Sequence, residues 1–172
     1  MSTLKNSSQQ KYFISKGYAP SPIGFLKIEL TDGKVISVSH EQKKQKDSVS
    51  KQDLPVFNKT KAQLKAYFAG RLKKFNLPLV TEGTEFQQQV WREMAKIPFG
   101  STRTYGELAK AIGRPRASRA IGNACNGNPH LIVIPCHRVV GATGLGGFAI
   151  GSKKKKHLLN HETHLSHSNT EQ

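Results

Sequence analysis

The chain has 172 residues, and its 27 lysines and arginines against 11 aspartates and glutamates give a formal net charge of +16. Hydrophobic residues make up 36% of the chain, which is enough for a core and argues against a wholly disordered protein. No apolar run approaches the ~18 residues that a membrane helix needs, and the first ten residues lack the apolar core of a signal peptide. Two cysteines, Cys125 and Cys136, exclude a disulfide scaffold and a four-cysteine zinc site. We therefore expect an intracellular protein, cytoplasmic or nuclear if eukaryotic, that binds no membrane.

The first half of the chain predicts strands followed by one helix. Residues 12–40 are typical of strands, and Asp32-Gly33 between two of them indicates a hairpin turn. Residues 41–53 are polar and rich in lysine, which predicts a loop. Thr60 and Gln63 have the spacing of a capping box and predict a short helix that begins there and ends at Gly70. We place the domain boundary after residue 82.

The second half predicts helices. Thr84 and Gln87 form another capping box, ahead of an apolar stripe with helical spacing. Thr104 opens a further helix, and Pro115 suits the first turn of the one after it. This pair of short helices is a helix-turn-helix candidate, with Arg116 and Arg119 on its second helix. Residues 153–162 predict a last helix, and residues 163–172 a disordered tail.

The charge is unevenly distributed. Between Glu107 and Glu162 the chain carries nine lysines and arginines and no acidic residue. Such a window predicts an electropositive surface, for which nucleic acid is the first candidate partner. The alternatives are a charged surface that serves solubility alone, or one that binds acidic lipid.

Cys136 lies between an apolar run and the pair His137-Arg138. A thiol reacts as its thiolate, and a neighbouring histidine or arginine lowers its pKa. A buried structural cysteine is the commoner case, but His137 and Arg138 are too polar for a core without partners. Glu162 is the one acid between the cysteine and the tail, so a Cys–His–Glu relay is the simplest hypothesis. Adjacent side chains of an extended segment point apart, so this relay needs a turn or a bridging water.

The segment Ile134-Pro-Cys-His-Arg-Val139 resembles the active-site signature of the O6-alkylguanine-DNA alkyltransferases. Gly100-Ser-Thr-Arg-Thr-Tyr-Gly-Glu-Leu-Ala109 is similar to the first helix of that family's DNA-binding pair, and Arg119-Ala-Ile-Gly-Asn-Ala124 to its recognition helix. The resemblance is strong over residues 84–162 and fainter over residues 1–80.

This resemblance implies an α/β, ribonuclease-H-like N-terminal domain over residues 1–82 and a mainly α C-terminal domain with a helix-turn-helix over residues 83–162. It implies direct-reversal repair: one irreversible transfer of the alkyl group from O6-alkylguanine in double-stranded DNA to Cys136. O4-alkylthymine is a further candidate substrate. The implied reaction needs no cofactor. Some members of the family carry zinc in the N-terminal half, but that half has no cysteine here, so we expect no metal. We also expect a monomer.

The resemblance also implies roles for single residues. Cys136 is the acceptor, His137, acting through a water, is the base that keeps it a thiolate, and Glu162 orients His137. Tyr105 donates to the leaving guanine, and Asn128 braces the active-site turn. The implied DNA contacts are Arg119, which replaces the flipped nucleotide, and Arg114, Arg116, Ala120 and Thr104. The implied substrate pocket is lined by Tyr105, Val139, Gly147 and Phe148.

Two other interpretations of the sequence compete with repair. A non-catalytic helix-turn-helix protein that recognises lesions would explain the basic window but needs no nucleophile. A Cys–His hydrolase would explain the cysteine and histidine but not the basic window. The presence of Cys136 together with that window favours the alkyltransferase.

Overall fold

The computed structural model describes residues 3–5 and 11–167 of the chain. These divide into two compact units, with the boundary between Thr81 and Glu82. No helix among the described residues has both the length and the apolar character needed to cross a bilayer.

The first unit has five strands: β1 (Thr3–Lys5), β2 (Lys11–Phe13), β3 (Ser15–Ser21), β4 (Gly24–Thr31) and β5 (Lys34–Glu41). The last three form an antiparallel sheet in the order β3-β4-β5. In the hairpin between its second and third strands, Asp32 and Gly33 both have positive φ, as tight hairpin turns require. The buried side chains of β4 alternate along the strand, so one face of the sheet supplies the core.

Helix α1 spans Leu54–Phe68 and packs on this sheet. It begins six residues before the predicted start, so the prediction of a capping box at Thr60 is wrong. Pro55 lies in the first turn, where its missing N–H costs nothing. Thr60 is fully buried inside the helix, and its hydroxyl donates to the carbonyl of Val56 at 2.8 Å.

The residue before α1, Asp53, ties the first unit together. Its carboxylate is buried and accepts hydrogen bonds from the hydroxyls of Ser15 and Ser50 at 2.5 and 2.9 Å. It also accepts from the backbone N–H of Gly33 at 2.7 Å. The start of α1 is therefore fixed to both β3 and the β4–β5 turn.

The second unit is mainly helical, as expected. The capping boxes predicted at Thr84 and Thr104 are both present with reciprocal hydrogen bonds. The indole of Trp91 donates to the carbonyl of Ala124 at 2.8 Å, which joins the first helix of the unit to the third. The elements are α2 (Glu85–Met94), β6 (Arg103–Thr104), α3 (Tyr105–Ala111), α4 (Ser118–Asn126), a 3₁₀ turn (Cys136–Arg138), β7 (Val139–Val140) and α5 (Ser152–His167).

Two predicted boundaries in this unit need correction. Helix α4 begins at Ser118 rather than at Pro115, because residues 114–117 first close a turn through the N–H of Ala117 and the carbonyl of Arg114. Helix α5 continues to His167, so residues 163–167 are helical and not a disordered tail. The hydroxyl of Ser166 donates to the carbonyl of Glu162 at 2.8 Å within this extension. Residues 168–172 lie outside the described residues.

Candidate active site

The segment between α4 and β7 folds into a compact turn that carries Cys136. The side chain of Asn128 spans this segment: its amide donates to the carbonyl of Ile134 at 2.7 Å, and its oxygen accepts from the N–H of His130 at 3.0 Å. Ile132, which is buried, has a φ of +71°. A β-branched residue rarely adopts this conformation, so the surrounding packing holds the turn in shape.

The 3₁₀ turn sends the side chain of His137 toward α5. The imidazole is fully buried, and its Nε2 lies 2.7 Å from Oε1 of Glu162. Because an ionised carboxylate can only accept, Nε2 must carry the proton. Of the Cys136-His137-Glu162 group predicted from the sequence, His137 and Glu162 are therefore in direct contact, and Cys136 is the residue that precedes His137 in the same turn.

Glu162 accepts hydrogen bonds from three residues. Besides His137, the guanidinium of Arg138 donates to it twice, from Nε at 2.9 Å and from Nη2 at 3.0 Å. The backbone N–H of Gly100 adds a further bond at 3.0 Å. The remaining nitrogen of Arg138, Nη1, donates to the carbonyl of Ile97 at 2.6 Å. Arg138 thus makes two of the hydrogen bonds that hold the carboxylate of Glu162 in place, a role that the sequence alone did not indicate.

The pKa values describe an uncharged cysteine–histidine pair beside a charged glutamate. Burial raises the pKa of Glu162, but the hydrogen bonds from His137 and Arg138 outweigh it and hold that pKa well below its usual range. Burial lowers the pKa of His137, although its bond to Glu162 opposes the shift. Burial also raises the pKa of the Cys136 thiol, against a hydrogen bond from Asn128 and the charge of Lys155.

The predicted lowering of the Cys136 pKa by its neighbours is therefore wrong. The reason is geometric: Arg138 directs its charge to Glu162, and Cys136 is only 6% exposed. The expected resting thiolate is accordingly replaced by a protonated thiol, whose proton has to be removed during the reaction.

Lys155 belongs to the acid-free window between Glu107 and Glu162 that predicted an electropositive surface, but its side chain is fully buried. Its ammonium donates to the carbonyls of Val139 and Gly147, the latter at 2.8 Å. It lies 5.9 Å from the centre of the Tyr105 ring. This lysine therefore holds the glycine-rich loop, residues 141–151, against the site.

Tyr105 stands at the start of α3 with its hydroxyl 3.4 Å from the carbonyl of Gly147, to which it donates. A side chain at Gly146 would lie 2.7 Å from that hydroxyl, so the close approach of the loop requires glycine there. Burial raises the pKa of Tyr105, which keeps its proton on the oxygen. The backbone carbonyls of Val139 and Gly147 both accept a hydrogen bond from the ammonium of Lys155. Phe148, the next residue of the loop, is half-buried.

The second cysteine does not resemble a nucleophile. Cys125 is buried on α4, and its thiol lies 3.4 Å from the sulfur of Met94. Burial raises its pKa to about 12. Among residues 3–5 and 11–167, no three histidine, cysteine, aspartate or glutamate side chains are grouped as around a metal ion.

Helices α3 and α4 form the helix-turn-helix pair. Four of the five predicted DNA contacts are exposed, namely Arg114, Arg116, Arg119 and Ala120. Arg116 lies in the turn before α4 and not on the helix, which corrects its predicted place. Arg114 is held over the ring of Phe86 at 5.4 Å. The fifth, Thr104, is half-buried, and its hydroxyl oxygen accepts from the N–H of Glu107 as the cap of α3.

A helix-turn-helix unit that holds a buried cysteine beside a histidine–glutamate pair defines a narrow class of protein. Residues 85–164 match the profile described as 6-O-methylguanine DNA methyltransferase, DNA binding domain. Residues 14–81 match the profile described as 6-O-methylguanine DNA methyltransferase, ribonuclease-like domain. The chain belongs to the 6-O-methylguanine DNA methyltransferase family, as its sequence predicted.

Named relatives support this membership. A methylated-DNA–protein-cysteine methyltransferase of Haemophilus influenzae is 45% identical over 148 residues, which cover 83% of this chain and 82% of the relative. The protein of that name from Methanosarcina acetivorans is 57% identical over 104 residues, 60% of this chain and 67% of the relative.

Solved structures agree in fold. The crystal structure of Mycobacterium tuberculosis O6-methylguanine methyltransferase is 37% identical, with a TM-score of 0.79 over 88% of this chain and 94% of that chain. A related structure from the same organism, solved in complex with DNA, is 38% identical with a TM-score of 0.78 over 87% of this chain and 93% of that chain. The predicted fold class, an α/β ribonuclease-like domain followed by a helical domain with a helix-turn-helix, is confirmed.

Proposed function

We propose that this chain repairs DNA by direct reversal, moving the alkyl group from O6 of guanine in double-stranded DNA to its own Cys136. The observation that carries the proposal is the contact at 2.7 Å between Glu162 and His137, the residue that directly follows the buried thiol of Cys136. Relatives named as methylated-DNA–protein-cysteine methyltransferases support the same reaction. The nucleophile disfavours the non-catalytic alternative.

The proposed chemistry begins with the proton of the thiol. Glu162 fixes the Nε2–H tautomer of His137, which puts the lone pair of the neutral ring on Nδ1. This nitrogen takes the proton from Cys136 through a water molecule as the sulfur attacks. The ionised Glu162 stabilises the imidazolium that forms, and Arg138 keeps the carboxylate in place.

The transfer itself forms one bond and breaks one bond. The sulfur of Cys136 bonds to the alkyl carbon while the bond from that carbon to O6 breaks, and its electron pair stays on the guanine. The hydroxyl of Tyr105 donates to the base as this charge develops. The proton that left the thiol ends on the guanine, so the products are an S-alkylcysteine and an unmodified base. A thioether does not hydrolyse under these conditions, and each molecule therefore reacts once.

The lesion has to leave the duplex to reach a buried sulfur. We propose that Arg119, exposed in the first turn of α4, fills the space that the nucleotide leaves, and that Arg114 and Arg116 bind phosphates. Ala120 allows α4 to approach the groove closely, and Thr104 fixes the start of α3. Val139, Gly147 and Phe148 line the proposed pocket beside Tyr105. We further propose that the protein acts as a monomer, in the cytoplasm or in the nucleus if eukaryotic.

Mass spectrometry of the peptide that contains Cys136 tests this function. After incubation with a duplex that carries one O6-methylguanine, we expect a gain of one methyl group and no further turnover. Cys136→Ala should bind the duplex without gaining mass, while Cys125→Ala, the matched control, should react like the unaltered protein. Tight binding with no methyl on Cys136 of the unaltered protein would instead identify a lesion-recognition protein, and repeated turnover of an ester would identify a hydrolase.

A further inference from the structure

The first unit contains a second acid-free segment, which the proposed reaction does not use. From residue 54 to residue 81 the chain carries six lysines and arginines and no aspartate or glutamate. The segment comprises α1 and the residues that follow it. A run of charge is by itself an ordinary solvated surface, so its three-dimensional arrangement decides whether it forms a site.

Helix α1 and the segment after it lie side by side. Gly70 has a φ of +73° and ends the helix, and the N–H of Leu72 then donates to the carbonyl of Ala66 at 3.2 Å. Further along, the side chain of Gln63 makes two hydrogen bonds with the backbone of Asn76, at 2.9 and 3.0 Å. Residues 71–76 are therefore held back along α1, which places the cations of both segments on one part of the surface.

Five of these cations are exposed to solvent, and four of the five make up what we call the α1 basic face: Lys59, Lys65, Arg71 and Lys74. Lys59 and Lys65 are separated by six residues of helix, about 9 Å along its axis. Lys61 lies between them in sequence and is half-buried, with its ammonium 5.2 Å from the centre of the Phe57 ring.

Four of the five acidic residues of the first unit are engaged in other contacts, and the fifth, Asp32, lies in the β4–β5 turn. Asp53, the acid nearest to α1 in sequence, is buried and bonded to Ser15, Ser50 and Gly33. Three others form ion pairs elsewhere: Glu29 with Lys16 and Lys27, Glu41 with Lys27, and Asp47 with Lys44. These four carboxylates are therefore paired with groups outside the α1 basic face, whose positive potential is available to a partner from outside the unit.

We propose that the α1 basic face binds the phosphate backbone of duplex DNA without regard to sequence, as a contact additional to the helix-turn-helix of the second unit. The choice of DNA as the polyanion rests on the proposed function. Duplex DNA carries one negative charge per ~1.7 Å of its axis, so several phosphates fall within the length of this face. Lysine and arginine contacts of this kind add affinity and fix position but read no bases.

The experiment compares two triple variants of the full-length protein. Lys59→Gln/Lys65→Gln/Lys74→Gln removes three charges from the face. Lys16→Gln/Lys27→Gln/Lys44→Gln removes three charges from the same unit at lysines that are paired with acids, and is the matched control. Binding to an undamaged duplex several helical turns long is measured by fluorescence anisotropy over a range of salt concentrations. Thermal unfolding checks that both variants are folded.

We expect the first variant to lower the slope of log affinity against log salt by about 0.9 for each phosphate that the face no longer neutralises, hence by about 2 to 3, and the control by less than about 1. Equal slopes for the two variants overturn the proposal, because net charge alone would then account for the effect. An unchanged DNA slope together with weaker sedimentation on phosphatidylserine vesicles also overturns it, and would assign the face to acidic membranes.

Methylation of Cys136 is measured in the same samples. If the unaltered protein is methylated but the slopes of both variants match, this inference fails and the proposed function stands. If the slopes differ as expected but Cys136 is never methylated, the reaction fails and the DNA surface stands.

Discussion

Cys136 and His137 are both buried, and burial favours the neutral form of each. A neutral thiol beside a neutral base can react by passing its proton internally, with no net exchange with solvent. The protonation state of the pair is then the same over a wide range of pH. In a thiol that has to ionise into solvent first, the reactive fraction would instead rise with every unit of pH.

We predict that the rate of alkyl transfer from a free O6-alkylguanine base is nearly independent of pH between 6.5 and 9.0. These are the ordinary pKa values of histidine and cysteine, and burial moves the pKa of His137 below that interval and that of Cys136 above it. In His137→Gln the rate should rise about tenfold per pH unit, because only the ionised fraction of the thiol then reacts. Rapid-quench kinetics with mass detection measures both profiles, and a tenfold rise in the unaltered protein would contradict the internal transfer.

For single residues, the sequence predicts which side chains belong to the site better than it predicts whether each one is buried. Cys136, His137 and Glu162 could be grouped because a nucleophile needs a base, and that base needs a third group to orient it. Arg138 and Lys155 could not be placed, because a cation in a sequence indicates a solvated surface unless the fold encloses it. Lys155 stands in a run of four lysines, and nothing in that run distinguishes the one whose side chain is buried.

Helix α5 contributes to the site through two side chains about two turns apart, Lys155 and Glu162. Glu162 positions the histidine, and Lys155 positions the loop that faces Tyr105. The order of the glycine-rich loop, residues 141–151, therefore depends on one buried ammonium and its two carbonyl acceptors. Few side chains in that loop are large enough to hold it by packing.

We predict that Lys155→Met loosens this loop without unfolding the second unit. Amide hydrogen exchange in residues 141–147 should become about tenfold faster, which corresponds to the loss of a net hydrogen bond of about 1.5 kcal/mol. Lys156→Met, an exposed neighbour on the same helix, is the control and should leave the exchange unchanged. Equal protection in both variants would show that the loop is held by other contacts.

A second prediction concerns α4. Arg119→Ala should slow transfer from a duplex roughly tenfold to a hundredfold, because unstacking a nucleotide costs a few kcal/mol that the arginine partly offsets. Transfer from the free base should stay unchanged, since no nucleotide has to be extruded. Arg92→Ala, an exposed arginine on α2, serves as control in paired single-turnover assays. An equal loss on both substrates would remove Arg119 from this role.

Element boundaries were predictable where a side chain itself makes the cap. The boxes at Thr84 and Thr104 follow directly from their sequence, and both helices begin there. The start of α1 was missed because its preceding residue, Asp53, directs its carboxylate into the unit and forms no cap with its own helix. Pro55 was the available signal, because proline favours the first turn of a helix.

Across the whole molecule, the proposed site lies in one unit, whereas the lysines and arginines behind the net charge of +16 are found in both. The residues proposed for transfer all belong to the second unit, while the first unit carries its own excess of cations. We propose that residues 1–82 and 83–162 act as two domains, with chemistry confined to the second. Electrostatic attraction to DNA should then influence binding but not the reaction of the bound base.

We predict that salt weakens the binding of DNA but leaves the transfer of the alkyl group from the bound base to Cys136 nearly unchanged. Raising the salt concentration should slow transfer from dilute duplex DNA steeply, because each phosphate contact adds about 0.9 to the salt slope. Transfer from the free base should change little over the same range, since no phosphates are involved. Parallel single-turnover measurements test this, and a matching decrease on the free base would indicate that salt acts on the site itself.

The carboxylate of Glu162 is bound by Gly100, His137 and Arg138, so its partners begin 62 positions earlier in the chain. During synthesis on the ribosome, the cysteine and the arginine are made well before the glutamate that neutralises the arginine. Any nascent or truncated product that stops short of residue 162 would enclose an unbalanced guanidinium, at a cost of about 3 to 5 kcal/mol. Such a product should fold poorly and be degraded by proteases. A molecule that folds stably therefore already contains Glu162 and its contacts with His137 and Arg138.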